Sequence, residues 1–418
     1  MPDMDQDSGT LAPLKIRIGF VIDLAKRLHE YGTAAPRLEE VINLVSARLG
    51  LSCNVLSTPT SIVMSFSDPA REDDLAEITQ VVRLSPGSVD LKRLCEVDEI
   101  AGQVIDGRLD LAAGRRRLRE FRLPLVSTAS RTWLVGSYAV SAGSVAAILH
   151  TGWTGVATAA LVGALIGVVY LLSLRRPNIA AAWDAIAAFI ATLIATLVAV
   201  YVAPLAVRSV VIASLIVLMP GLALTTAVRE LSSQHLISGT ARMMGAVATL
   251  LKLAFGTVAA TQLCAWFDLV PPDRAEAALP QWTEWLAVLA AAFAFAVLFR
   301  TPRRYAPIVI VSVMLGYACT QLGGAYIAPA FGVFFGSLVI GASSNLFARV
   351  ADLPGALVRE PGIVLMVPGS VGFRTLSFVF ERDVLLGLDT AVSLLVLLLS
   401  IVAGLLFGDL LVPPRKTL

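Results

Sequence analysis

The chain has 418 residues, 56% of them hydrophobic and 15% charged, with a mean hydropathy of +0.77 and a formal net charge of +2. Ordinary soluble domains carry about 25% charged residues, so a plain water-soluble globule is excluded, and the near-neutral balance without a basic, aromatic-rich surface excludes nucleic-acid binding as the main activity. The charges are also segregated: 17 of the 33 Lys/Arg and 19 of the 31 Asp/Glu precede Thr132, which predicts a soluble N-terminal domain followed by a polytopic membrane domain.

Residues 1–13 read as a disordered tail. The opening MPDMDQDSG is acidic and polar and lacks the basic start and apolar core of a cleaved signal peptide, which leaves targeting to the first helical span. From Ile16 to Tyr31 the apolar positions Ile18, Val21, Ile22, Ala25 and Leu28 follow helical spacing, with Gly32 as the stop, and a second helix is predicted from Pro36 to Leu49. The runs CNVLS, SIVMSF and EITQVVRL read as short strands, and Asp90–Ile105 and Leu109–Phe121 return to helix. Residues 14–125 are therefore predicted to form a soluble cytoplasmic α+β domain with its own core. His29 has Asp23 and Glu30 near it and Glu39 and Glu40 after it, yet no nucleophile elbow, metal motif or phosphate loop accompanies them. The chain is accordingly read as a non-enzyme and these charges as a solvated helix face. Cys53, Cys95, Cys264 and Cys319 have the spacing of neither a disulfide framework nor a zinc site, so no metal and no cofactor are predicted. Arg115, Arg116, Arg117, Arg119 and Arg122 stand directly before the first span and predict that the N-terminal domain is cytoplasmic.

From Thr132 to Leu174 there is no Asp, Glu, Lys or Arg, enough for two crossings joined at the HTGW turn around His150. Spans three to five follow at Ala181–Tyr201, Val207–Val228 and Gly239–Leu263, giving a first five-helix module over 130–265. A polar extracytoplasmic linker, 266–283, precedes a second five-helix module over 284–412, with spans at Trp285–Phe299, Ala306–Leu322, Tyr326–Phe347, Gly362–Phe380 and Leu386–Leu406. The string IVLMPG at Ile216–Gly221 returns with one insertion as IVLMVPG at Ile363–Gly369. Proline inside an apolar span removes a backbone donor and disturbs the carbonyl four residues earlier, so each module is predicted to contain a breakable helix. Five spans per module turn the second upside down relative to the first, giving ten transmembrane helices as two inverted repeats. With a cytoplasmic N-terminus the inner loops and tail hold eleven Lys/Arg, among them Arg175, Arg242, Arg359, Arg415 and Lys416, against Arg208, Arg274 and Arg382 outside. Both termini are then cytoplasmic in a multi-pass protein of the cell inner membrane.

Lys252 lies ten residues past Arg242, which at 1.5 Å per residue places it about 15 Å deep. Such a charge is costly unless it meets a cavity or a partner, and Asp184, in span three, is the acid within the bundle that could bind an ammonium group, carry a proton or neutralise Lys252. Arg374, five residues after Gly369, offers a cation from the other half. Asp389 and Asp409 read as interfacial. Thr225, Thr226, Ser370 and Thr375 follow the breaks at Pro220-Gly221 and Pro368-Gly369 and can hydrogen-bond a polar solute or glue helices together. A small anionic or zwitterionic solute is predicted between the interrupted helices, its carboxylate met by half-helix N-termini and by Lys252 or Arg374. No ATP-binding loop of the G-x-x-x-x-G-K-[ST] type occurs, which points to an ion gradient as the energy source.

Several strings resemble the threonine/serine exporter family in its fused two-module form. Gly32, Arg37 and Glu39 resemble its G-x-x-x-x-R-x-E pattern, TPTSIVMSF at Thr58–Phe66 its strand region, and GSVDLKRLCEVDEI at Gly87–Ile100 its following helix. LMPG at Leu218–Gly221, followed by Arg229, Glu230, Ser238 and Gly239, resembles the first module, and LMVPG at Leu365–Gly369 the second. The resemblance covers about residues 15–410 and implies ten spans, a cytoplasmic N-terminal domain and proton-driven export of threonine and serine. It implies an amino-acid substrate and the lipid bilayer as partners, no nucleic acid, and leaves homo-oligomerisation open. Relatives with the modules on separate chains resemble dicarboxylate exporters, so succinate-like export stays as an alternative, beside a membrane-anchored sensor or enzyme.

Overall fold

A computed structural model describes residues 13–69, 78–121, 128–174, 176–272, 277, 279–380 and 383–414. Residues 1–12 of the expected tail lie outside them, as do Arg122, Arg175, Arg274, Arg382, Arg415 and Lys416 of the charge patterns. The chain divides into two units, one of 1–124, 233–238 and 415–418 and one of 125–232 and 239–414.

In the first unit, α1 (Leu14–Glu30) and α2 (Ala35–Arg48) are followed by β1 (Ser52–Thr58), β2 (Ser61–Ser67) and β3 (Ile78–Arg83), then α3 (Leu91–Ile105) and α4 (Leu111–Glu120). Gly32 ends the first helical segment because it adopts φ +84°, a left-handed conformation that a side chain disfavours. The strands form an antiparallel sheet in the order β1-β2-β3. Its first hairpin pairs Thr58 with Ser61, and the Thr58 hydroxyl accepts from the Ser61 N–H at 3.1 Å, closing the turn. Strand β2 is central, and its alternation points Ile62, Met64 and Phe66 into a core with Phe20, Leu24, Leu38, Ile42 and Leu118. Full burial of each such side chain contributes roughly 1.5–3 kcal/mol. Asp90 and Asp110 cap α3 and α4 by accepting backbone N–H bonds in the first turn.

The charges around His29 tie elements together. Asp23 accepts from Arg115 at 2.8 Å and Arg119 at 2.7 Å, His29 Nε2 lies 3.2 Å from the Ser85 carbonyl, and Glu39 accepts from the Ser57 N–H at 2.8 Å. Arg17 and Asp68, both nearly sealed from solvent, pair at 2.7 Å.

The second unit is helical: α5 (Thr128–Ile148), α6 (Trp153–Ser173), α7 (Pro177–Tyr201), α8 (Val207–Ser214), α9 (Gly221–Ser232), α10 (Leu236–Trp266), α11 (Trp282–Leu298), α12 (Ala306–Tyr326), α13 (Pro329–Ala351), α14 (Ala356–Ile363), α15 (Gly369–Phe380) and α16 (Val384–Leu411). Among the described residues, six of them, α6, α7, α10, α12, α13 and α16, are long and apolar enough to cross a membrane, and α11 is a shorter apolar helix.

Where the sequence suggests one span over Val207–Val228 and another over Gly362–Phe380, the structure has two half-helices each. In both modules an 8-residue helix is followed, after the break, by a 12-residue helix that starts on the glycine. Pro220 and Pro368 cause it: neither has an N–H to give, and the next N–H, of Gly221 or Gly369, turns back to Met219 O at 2.8 Å or Val367 O at 2.9 Å. The second broken segment begins six residues earlier than expected, at Ala356, because α14 accommodates Pro361.

Candidate functional site

The two breaks touch. A Cβ added to Gly369 would lie 3.1 Å from Met219 Cβ and 3.3 Å from the Gly221 Cα, and one added to Gly221 would lie 2.4 Å from Val367 Cγ1. Glycine on both sides lets the two segments approach this closely. It brings together the starts of α9 and α15, where backbone N–H groups have no intrahelical partner and the helix dipoles are positive.

Beside this crossing lies a cavity of about 640 Å³ whose walls come from α7, α8, α10 and α15 and the segment after α10. Ser370, the second residue of α15, and Arg374, one turn further, line it. Arg208 at the start of α8 lines it too, and both guanidiniums approach the Phe378 ring, Arg208 at 5.5 Å and Arg374 at 5.9 Å. On the α7 and α10 walls stand Thr192, Thr196, Thr257 and Thr261. No Asp or Glu is among the described residues that line the cavity. Such a chamber suits a small solute with a carboxylate at one end and hydrogen-bonding groups elsewhere.

Of the sequence candidates, the structure brings Ser370 and Arg374 into this cavity and Pro220, Gly221, Pro368 and Gly369 into the crossing next to it. Lys252 and Asp184 are not among the cavity's lining residues: they face each other, Nζ to Oδ2 3.5 Å, the lysine half exposed on α10 and the aspartate largely covered on α7. Thr225 is buried with a hydroxyl that meets no partner, Thr226 is half-buried, and Thr375 donates to the Val371 carbonyl at 2.9 Å. Asp389 is exposed near the start of α16. Asp409 instead joins a network in which Asn345 donates to it at 2.6 Å and Arg359 lies 3.4 Å away. The loop-charge reading of Arg242 is also refined: it lies inside α10 and forks onto the fully buried Glu230 at 2.9 and 3.0 Å. Among the described residues, no three His, Cys, Asp or Glu group as a metal site.

Sequence reasoning missed Arg208, counted only as a loop charge, and the four cavity threonines. A signal for the latter existed, since Thr192/Thr196 and Thr257/Thr261 are each four apart and so share a helix face.

A family model described as "Putative threonine/serine exporter" matches residues 19–264, and a second, "Threonine/Serine exporter, ThrE", matches residues 284–411. The chain belongs to the threonine/serine exporter family. Both modules of this exporter-family chain are matched, and the gap between the two matches falls on the polar linker. Its similar proteins include "Pheromone-regulated membrane protein 10" of Eremothecium gossypii, 24% identical over 87% of this chain and 50% of the relative. The proteins of the same name from Yarrowia lipolytica, 23% identical over 86% and 30%, and Zygosaccharomyces rouxii, 24% identical over 87% and 38%, are similar as well. The chain thus spans half or less of the length of these relatives. No solved structure matches it.

Proposed function

We propose that this protein is a secondary transporter that exports small hydroxy amino acids, threonine and serine, across the cytoplasmic membrane, driven by the proton motive force. The observation that carries the reading is the position of Arg374 and Ser370 on α15, next to the Pro-Gly break and lining a cavity to which α7, α8, α10 and α15 all contribute. In this reading the carboxylate sits on the Arg374 guanidinium and the first N–H groups of α15, while carbonyls freed where the helices break meet the ammonium. Ten crossings arise when α5 to α10 and α11 to α16 are each counted as five spans, the half-helix pairs α8/α9 and α14/α15 being one apiece. The matched lengths of those pairs support an inverted repeat about the Gly221/Gly369 contact. The excess of Arg and Lys in one set of loops supports cytoplasmic termini.

A succinate-like dicarboxylate is the second reading, favoured by the pair of arginines, Arg208 and Arg374, around Phe378. Counterflow of labelled threonine, serine and succinate in proteoliposomes under a set pH gradient separates the two. The expected result is exchange of threonine and serine, reduced about 10- to 100-fold in Arg374→Ala, the equivalent of the ~1.5–3 kcal/mol of a charge-assisted hydrogen bond. Exchange of succinate alone moves the assignment to the dicarboxylate reading.

A further inference from the structure

Most threonine hydroxyls of this bundle follow a rule that Thr192 and Thr257, like Thr225, break. A helical threonine normally satisfies itself by donating to the carbonyl four residues back. Thr158, Thr261, Thr320, Thr375 and Thr390 all do so, at 2.7 to 3.0 Å. Thr192 and Thr257 do not: both Oγ1 atoms are buried and neither has a hydrogen-bond partner. Thr192 is only 3% exposed. Both residues line the cavity, one from α7 and the other from α10.

The helices that carry them are pressed together just beside these positions. A Cβ on Gly256 would fall 2.2 Å from the Ala185 carbonyl and 3.0 Å from Ala188 Cβ. Thr257 is the next residue on α10, and Thr192 is one turn beyond Ala188 on α7, about 6 Å along the axis. The unbonded hydroxyls therefore stand near one helix contact, on elements other than the α15 that carries Ser370 and Arg374. Buried polar groups are nearly always paired, and among the described unpaired hydroxyls these two are the ones whose residues line the cavity beside Ser370 and Arg374. A hydroxyl both donates and accepts; a carboxylate only accepts, and a methyl does neither.

We propose that Thr192 and Thr257 form the subsite that reads the side-chain hydroxyl of the transported amino acid, and so select threonine and serine over their counterparts without it. The inference rests on the transport reading above and adds the specificity determinant. Arg374 and Ser370 fix the carboxylate end, and a substrate without the hydroxyl leaves both threonines unpaired in the occluded state, a penalty that sites built to bind a hydroxyl turn into discrimination.

The test is competitive counterflow in proteoliposomes with threonine and 2-aminobutyrate, which share a skeleton and differ by the hydroxyl. The native chain is expected to favour threonine by about tenfold or more, the equivalent of one or two hydrogen bonds. Thr192→Val and Thr257→Val, which keep shape and remove the hydroxyl, are expected to bring the ratio towards one by raising the KM for threonine while 2-aminobutyrate exchange persists. Thr192→Ser and Thr257→Ser are expected to retain the preference, as is Thr249→Val, whose hydroxyl bonds Gly245 O on the same helix away from the cavity lining. Should a valine variant not fold, Thr192→Ala and Thr257→Ala carry the same comparison. Threonine exchange with an unchanged ratio in the hydroxyl-deleted variants of both positions overturns the subsite. Absence of threonine exchange in the native chain overturns the transport reading itself, a distinct failure.

Discussion

At the scale of single residues, Lys252 and Asp184 show how a costly charge is carried. A lysine amid apolar helix surface is expensive alone, and its aspartate 3.5 Å away offsets that cost. Breaking such a pair hurts because one charge is left over, while removing both ends is far milder. Lys252→Ala is therefore expected to lower thermal stability in detergent, and Lys252→Ala with Asp184→Asn to recover most of it together with transport. A transport-dead double variant of native stability would instead assign the pair to substrate or proton. Cys53 offers a second check at this scale. Burial pushes its thiol up to about 11, so alkylation of the folded first unit is expected to be slow at pH 7.5 and to rise about tenfold per pH unit towards 11 as thiolate forms. A rate already at its plateau at pH 8 would contradict the burial of β1 against α2.

At the scale of elements, much was legible and the reasons are specific. The spacing of Ile18, Val21, Ala25 and Leu28 forecast α1, and the runs CNVLS and SIVMSF forecast two strands, because both signals are local. The Pro-Gly repeat forecast that two spans would break, since proline acts on its own backbone. What sequence could not supply was the partner of each group: that Gly221 would meet Gly369, that Arg242 would clasp Glu230, or that threonines four apart on α7 and α10 would wall one chamber. Those depend on how distant elements pack. The same packing yields a prediction. Gly221→Ala drives a methyl to 2.4 Å from Val367 Cγ1, an overpacking worth about 1–3 kcal/mol. It is expected to lower both thermal stability and exchange rate, and Val367→Ala in the same chain to restore part of each by clearing the space. A Gly221→Ala protein indistinguishable from the native one would mean that the two breaks do not meet as described.

At the scale of the whole molecule, the first unit has its own core of Phe20, Leu24, Ile42, Ile62 and Phe66, and a fragment of residues 1–124 is expected to melt as one cooperative unit by circular dichroism. Within it, Arg17→Ala removes the 2.7 Å pair with Asp68 and the bonds to the Leu49 and Gly50 carbonyls and is expected to cost about 3–5 kcal/mol, a large part of the 5–15 kcal/mol typical of a domain. A fragment without a thermal transition would show that this core depends on the rest of the chain. The second unit is organised otherwise, around a point at which two glycines stand back to back. That point is placed as a shared axle: the starts of α9 and α15, one from each module, meet there with no side chain of either glycine to act as padding between them. A movement of either start is expected to press on the other, so that the two modules do not keep separate clocks. A single added methyl at the axle is a brake on both.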